Sequence, residues 1–170
     1  MIFEPTRSLS MSDDLFLDTE WNNDVARELV SLALTHEDGE RHFYAERYPR
    51  PEGPSSFVRS VVYPLLTGPV LSDPEFGAQL RAFIASFDHP CVHFDGAIDQ
   101  RQLTWALTGF GTWSGSVPAW EPVLITHPDV LDEQERYFAT RPEAAARRHH
   151  AGVDAEALRW AWKKVIGKES

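Results

Sequence analysis

The sequence predicts an α/β fold in which one mixed β-sheet is covered by helices. Three β-like segments follow one another within the first fifty residues, and later apolar segments alternate between helical spacing and short β-like runs. Strands joined by short connections pair in antiparallel fashion, whereas strands separated by helices pair in parallel. We therefore expect three antiparallel strands, then helix-separated strands, with helices on both faces of the sheet.

The antiparallel part of the sheet is predicted from three segments. Strands are expected at 15–20, 28–36 and 41–46, because these segments are rich in apolar and β-branched residues. A tight hairpin turn at 37–40 connects the last two, since its Asp-Gly pair supplies the positive φ angles that such a turn requires.

Two helices are predicted after a proline-rich loop at 49–54. The first starts at Ser55 or Ser56, either of which can cap it, and ends near residue 66. Its apolar residues on one side are Phe57, Val61, Val62 and Leu65. The second starts at Ser72 or Asp73, and its apolar residues recur at helical spacing: Phe76, Leu80, Phe83, Ile84 and Phe87.

The second half of the chain predicts shorter strands between helices. A strand at 91–94 and a helix at 98–107 precede a long loop at 109–122 that is rich in Gly, Ser, Pro and Trp. A strand is expected next, followed by two helices; these elements lie at 123–125, 129–139 and 151–166. Residues 1–13 are expected to form an N-terminal tail, and residues 14–170 a single domain.

Composition and charge limit the classes of function. The chain has a single cysteine, Cys91, which excludes an intrachain disulfide, and no apolar run long enough to span a bilayer. We expect a cytoplasmic protein. The net charge of -10 is unusual for a protein that binds nucleic acid. Basic residues nevertheless crowd the C-terminal part of the chain, where they predict a local basic rim: Arg141, Arg147, Arg148, Arg159, Lys163, Lys164 and Lys168.

The first candidate site lies on the first strand. Asp18 and Glu20 share one face of it, because side chains alternate along a strand, and the apolar run 15–17 predicts that the strand is central. Two carboxylates about 5 Å apart repel by roughly 3 kcal/mol at an effective dielectric near 20, and a divalent cation removes that cost. Two exposed acids on a strand edge are the alternative interpretation of this pattern.

Two further acids occupy the first turns of predicted helices. Asp99 begins the helix at 98–107, and Leu103, four residues later, shares its face. An acid at this position also interacts favourably with the helix dipole, which is the simpler explanation. Asp154 shares the inward face of the last helix with Leu158, and His149 precedes it by five residues.

Together these residues resemble the three motifs of the DEDDh branch of 3′→5′ exonucleases, a group that includes oligoribonuclease, ribonuclease T and proofreading subunits. The motifs here are Asp18-x-Glu20, Asp99 with Leu103, and His149-x-Ala151-x-x-Asp154-Ala155. The last motif is the most specific, and the resemblance spans residues 14–166. The chain is most similar to a compact bacterial exoribonuclease subgroup. It departs from many relatives in carrying Asp95, a competitor for the ligand role of Asp99, where they carry His-Asn.

The resemblance implies a ribonuclease H-like fold and a two-metal mechanism. Asp18, Glu20, Asp99 and Asp154 would hold two Mg²⁺ or Mn²⁺ ions, one activating water and the other stabilising the departing 3′-oxygen. His149 would act as the general base, and the product would be a nucleoside 5′-monophosphate. The implied partners are single-stranded RNA or 3′ overhangs, with DNA also open, and a second copy in a homodimer.

Further residues are candidates for substrate binding. Thr19 lies between the two acids of the first strand and Trp21 follows them. Trp113 and Trp120 lie in the long loop, and Arg147 and Arg148 precede His149. Aromatic side chains stack on bases. A DNA-directed exonuclease and a catalytically silent nucleic-acid-binding module on the same fold are the alternatives. A zinc site at 89–93 is not favoured, because no second pair of ligands has matching spacing.

Overall fold

The structure is a computed structural model, and it describes residues 13–23 and 28–168. The predicted N-terminal tail, apart from Asp13, lies outside the described residues. The strands are β1 (Asp13–Trp21), β2 (Leu29–His36), β3 (His42–Tyr48), β4 (Val70–Ser72), β5 (Pro90–Phe94) and β6 (Glu121–Leu124). The α-helices are α1 (Asp73–Ile84), α2 (Ala97–Leu107), α3 (Pro128–Ala139), α4 (Pro142–Ala145) and α5 (Ala151–Val165).

All six strands belong to one mixed sheet, in the order β4-β3-β2-β1-β5-β6. The first three pair in antiparallel fashion, whereas β5, β6 and β4 join their neighbours in parallel. Gly39 adopts a φ of 76° in the turn between β2 and β3, as the Asp-Gly pair predicted. The predicted fold class is confirmed, and the arrangement is consistent with a ribonuclease H-like α/β fold.

The central strand β1 separates two apolar cores. Leu15 and Leu17 pack with residues of α1 and α2, whereas Phe16 packs on the other face with residues of α3 and α5. All three side chains are fully buried. The alternation along β1 therefore places helices on both faces, as predicted, and it directs Asp18 to the same face as Phe16, towards α5.

The segment after the 49–54 loop differs from its prediction. Ser55 does cap it, because its Oγ accepts a hydrogen bond from the Val58 N–H at 3.1 Å. However, the segment continues as a π-helical turn, Val58–Val62, and a 3₁₀ turn, Tyr63–Leu65. Val58 and Val62 are buried, whereas Phe57 is 46% exposed. The expectation that Phe57 lies on the apolar side was wrong, because the face that packs on Val30 of β2 is formed by Val58 and Val62, one residue out of phase with Phe57.

Two short strands, β4 and β6, form the edges of the sheet. The sequence did not predict β4, which has only three residues, none of them fully buried, and therefore no alternating pattern. The expected strand at 123–125 is present as β6, but it begins at Glu121 and includes Pro122. Proline is tolerated there because β6 is at the edge of the sheet, where one side of the strand needs no hydrogen-bond donors.

Candidate metal centre at the end of β1

The topology brings four carboxylates together at one end of the sheet. Asp18 and Glu20 lie near the end of β1, which runs parallel to β5. The chain leaves β5 and enters α2, whose first turn carries Asp99. Asp154 lies in the first turn of α5. The ends of parallel strands and the starts of the helices that follow them share one edge of a sheet, where ligands commonly bind.

Small residues allow α5 to approach the sheet at this point. Ala33 of β2 is the partner of Asp18 across the antiparallel pair, and it packs against Ala151 and Ala155 at the start of α5. Because these side chains are short, the first turn of α5 comes close to β1, and Asp154 lies near Asp18. The Asp154 carboxylate is the strongest charged influence on the pKa of Asp18.

Asp99 and its competitor Asp95 have different partners, since Asp99 is hydrogen-bonded to Thr19 whereas Asp95 is hydrogen-bonded to the side chain of Gln134. Thr19 Oγ1 donates a hydrogen bond of 2.6 Å to Asp99 Oδ1, and Asp99 is buried. Gly96 precedes α2, and a Cβ there would lie 2.8 Å from Asp99 Oδ2, so the close approach requires glycine. Asp95 is exposed and lines the cleft beside the site. This geometry favours Asp99 as the ligand in the middle motif.

Burial and mutual repulsion raise the pKa values of these four acids. Burial, followed by repulsion from Asp154 and Glu20, raises the pKa of Asp18 well above its ordinary value. Burial is also the main cause that raises the pKa of Glu20 to about 8, and those of Asp99 and Asp154 to about 7. Asp18 Oδ2 and Asp154 Oδ1 are buried and accept no hydrogen bond from the described residues. Buried charge of this kind needs a counter-ion.

One subset of these groups can hold a metal ion. Glu20, His149 and Asp154 each offer a ligand atom, and these atoms lie within 4.8 Å of one another. Asp18 Oδ2 and Asp154 Oδ1 are unpartnered oxygen donors in the same cluster. Carboxylate oxygens are the ligands that Mg²⁺ and Mn²⁺ prefer. The donor set therefore fits a hard divalent cation.

His149 has a constrained backbone at the start of α5. Its φ is 74°, in the left-handed region that non-glycine residues seldom adopt. Its N–H donates to Asp154 Oδ2 at 3.0 Å, and its ring contacts Phe57 edge to face, with centroids 5.0 Å apart. Burial, and then the charge of Arg148, lower its pKa. The ring is therefore available as a neutral base near neutral pH.

His150 has different surroundings from its neighbour. Its ring is buried and stacks on Tyr44, with centroids 4.5 Å apart. Its backbone oxygen accepts hydrogen bonds from the N–H groups of Val153 and Asp154 in the first turn of α5. His150 therefore anchors the helix to β3, and it does not line the cleft.

An open cleft of about 620 Å³ leads to the carboxylates. Its lining includes three predicted substrate-binding residues, Thr19, Trp21 and Arg148. It also includes apolar residues that were not among the predicted site residues: Phe57, Leu131 and Phe138. Phe57 and Leu131 are exposed, at 46% and 38%. No local signal distinguishes an exposed apolar residue in a cleft from one in the core, so these could not have been found from periodicity.

The other predicted substrate-binding residues lie elsewhere. Trp113, Trp120 and Arg147 are not among the described residues that line the cleft. The Trp113 ring lies under the Arg81 guanidinium, 4.1 Å from it, and Trp120 packs against the core beneath α1 and α2. The structure therefore does not bring the tryptophans of the long loop to the carboxylates.

Three of the seven residues of the predicted basic rim form ion pairs with acids of the described part of the chain. Ion pairs join Arg148 to Glu135, Arg159 to Glu156, and Lys164 to Glu133. Lys163 instead donates to the backbone oxygen of Glu37. Of these three pairs, Arg148–Glu135 has both side chains exposed, and an exposed pair contributes little to stability, so its carboxylate can exchange for another anion.

In comparisons with known proteins, no family model and no curated protein matches this sequence. Within the described residues, none of the helices combines the length and the apolar character needed to cross a bilayer.

Proposed function

We propose that the protein is a metal-dependent 3′→5′ exonuclease that acts on RNA and releases nucleoside 5′-monophosphates. The observation that carries this proposal is the convergence of four acidic side chains with raised pKa values, three of which line an open cleft beside His149 while Asp99 lies buried behind them. The four acids are Asp18, Glu20, Asp99 and Asp154. The resemblance of their motifs to those of DEDDh exonucleases supports the same conclusion and favours RNA.

In this proposal the four carboxylates hold two divalent cations, Mg²⁺ or Mn²⁺. Such cations, when bound, supply Lewis-acid activation of water and neutralise charge on the reacting phosphate. Thr19 keeps Asp99 in position through its hydrogen bond, and the backbone N–H of His149 does the same for Asp154. Asp154 keeps its other oxygen, Oδ1, without a hydrogen bond from the described residues, and Asp18 does the same with Oδ2.

His149 removes the proton from the attacking water. A hard cation prefers oxygen ligands, so the imidazole is left for proton transfer, although it is close enough to the acids to be a ligand. Its lowered pKa favours the neutral form that a base requires. Phe57 restricts the orientation of the ring through its edge-to-face contact. The hydrogen bond from the His149 N–H to Asp154 keeps His149 beside the carboxylates.

The walls of the cleft support a single-stranded substrate. Phe57 and Trp21 offer aromatic surface beside the acids, and Leu131 adds an exposed apolar side chain. Bases that are not paired with a second strand can pack on such surface, whereas the stacked bases of a duplex cannot. A strand whose terminal bases pack there would bring a phosphate near its end to the carboxylates.

The test is hydrolysis of 5′-labelled single-stranded RNA and of DNA with the same sequence, in Mg²⁺, in Mn²⁺ and in EDTA. We expect a ladder that shortens from the 3′ end, release of nucleoside 5′-monophosphates, faster cleavage of RNA, and no cleavage in EDTA. Asp18→Asn is the control and should be inactive. Faster cleavage of DNA would indicate the DNA-directed alternative, and binding without cleavage the silent module. Cleavage that persists in EDTA would contradict the metal mechanism.

A further inference from the structure

One wall of the cleft carries an ion pair between Arg148 and Glu135. Arg148 Nη1 donates to Glu135 Oε2 at 2.9 Å, and Nη2 donates to the other carboxylate oxygen, so the contact is bidentate. The same guanidinium lies over the ring of Phe138, 4.8 Å from its centroid. Arg148, Glu135 and Phe138 all line the cleft. The planar guanidinium is thus held in one orientation by a carboxylate and a ring.

The charge of the cleft makes this pair unusual. Arg148 is the only arginine or lysine among the described residues that line the cleft, and the other basic residue there, His149, has a lowered pKa. The acids that line it are Asp18, Glu20, Asp95, Asp132, Glu135 and Asp154. A nucleic-acid strand brings further negative charge. Cations held by the carboxylates can neutralise the floor, but on the wall Arg148 alone can attract a phosphate.

We propose that Arg148 binds a phosphate of the substrate and that Glu135 masks this site until the phosphate displaces it. The inference rests on the proposed function, because it takes the substrate to be a nucleotide chain. Guanidinium binds phosphate through the same two-pronged geometry that it uses for a carboxylate. Glu135 therefore occupies the position of the phosphate, and an anion without that geometry competes poorly with it.

The exposure of the pair makes the exchange feasible. The side chain of Arg148 is 43% exposed and that of Glu135 is 61% exposed. An exposed ion pair is weak, so a phosphate that also contacts the cations of the site can replace the carboxylate. Glu135 then lowers the affinity for every phosphate ligand, and it does so only through Arg148.

A second bidentate pair provides a matched control. Arg159 contacts Glu156 through two hydrogen bonds of 2.6 Å each, and it also donates to the backbone oxygen of Glu37. Neither residue lines the cleft. Glu156→Gln and Glu135→Gln change the net charge of the protein equally, so a difference between them reports the position of the pair and not the total charge.

The experiment measures equilibrium binding of adenosine 5′-monophosphate and of adenosine, with Mg²⁺ and with EDTA. Glu135→Gln should bind the monophosphate about two- to fivefold more tightly than the wild type, since that is the range an exposed pair covers. Arg148→Gln should bind it about tenfold or more weakly, because it loses a charged hydrogen bond. Neither Glu135→Gln nor Arg148→Gln should change the affinity for adenosine. Glu156→Gln should change neither the affinity for the monophosphate nor that for adenosine. Melting temperatures check that each variant is folded.

The double variant Arg148→Gln/Glu135→Gln separates masking from simple repulsion. If Glu135 acts through Arg148, removing Glu135 has no effect once Arg148 is absent. An equal gain in both backgrounds would overturn the proposal, as would an equal gain in Glu156→Gln or no monophosphate binding by any variant. Binding needs no hydrolysis, so these outcomes are independent of the exonuclease test. The expected binding pattern without any RNA cleavage would contradict the exonuclease proposal alone.

Discussion

His149 and His150 are adjacent in the chain, but their side chains have different neighbours. His149 lines the cleft, contacts Phe57 and lies beside the carboxylates. His150 is buried against Tyr44, behind the first turn of α5. The backbone at His149 is left-handed just before the helix, and the two rings pack against different residues, Phe57 and Tyr44. Only one of them can reach a water in the site.

Replacing each histidine should therefore have a different effect. His149→Ala should lower kcat by about 10²–10⁴-fold, the usual cost of losing a general base, while the four carboxylates still bind metal. His150→Ala should keep most of the rate, but it should lower the melting temperature because the stacked ring is lost. Single-turnover hydrolysis of a short RNA measures both rates. Equal losses of rate, or a larger loss in His150→Ala, would contradict the assignment of the base.

The packing of the turn next to Phe57 determines that this ring is exposed in the cleft. Its buried residues, Val58 and Val62, pack beside Val30 of β2 and fix the turn on the sheet. Phe57 then lies at the surface, with its ring against His149. The apolar surface that Phe57 offers to a base follows from this packing, because the valines and not Phe57 enter the core.

Phe57 and Trp113 allow a matched test of base stacking, because each is 46% exposed. Phe57→Ala should raise the KM for a short RNA by about 10- to 100-fold, the range expected for one stacked base. Trp113→Ala should leave KM unchanged, since Trp113 lies outside the cleft. Phe57→Trp keeps an aromatic surface and should restore most of the affinity. A larger increase of KM in Trp113→Ala would instead support a substrate-binding role for the 109–122 loop.

For the molecule as a whole, the carboxylate cluster links stability to pH and to metal. A carboxyl group whose pKa rises on folding binds its proton more tightly in the folded chain. Its contribution to stability is complete below about pH 4 and is lost as the pH rises through the folded pKa. For Glu20, Asp99 and Asp154, whose pKa values in the folded chain are about 7 to 8, this loss of stability is complete near pH 8. A bound cation replaces the missing protons and offsets the loss.

In EDTA the melting temperature should therefore fall between about pH 4 and about pH 8, and change little above that. Each kcal/mol of lost stability corresponds to roughly 2–4 °C in a domain of this size. Millimolar Mg²⁺ or Mn²⁺ should raise the melting temperature more at the higher pH, where the acids are ionised. Asp154→Asn removes one of the repelling charges and should show a shallower fall in EDTA. An identical pH dependence in this variant, or no response to either cation, would contradict the metal centre.

Most of the strands and helices, and the positions of the acids within them, could be predicted from the sequence because they depend on local geometry. The short elements β4 and α4 and the π-helical turn were not predicted. Alternation along β1 puts Asp18 and Glu20 on one face, and helical spacing relates Asp99 to Leu103 and Asp154 to Leu158. Each relation is set by neighbours within a few residues, so the sequence contains it in full. The mixed sheet with helices on both faces follows from the order of these elements.

Only the tertiary structure decided which side chains line the cleft. Phe57 is exposed while Val58 is buried, Glu135 covers Arg148, and Trp113 lies away from the site. Each of these depends on contacts between distant parts of the chain, such as the 13 residues that separate Arg148 from Glu135. Periodicity reports the face of an element, but not what packs against that face or remains open to solvent. The acids were therefore predictable, whereas the surface that would select a substrate was not.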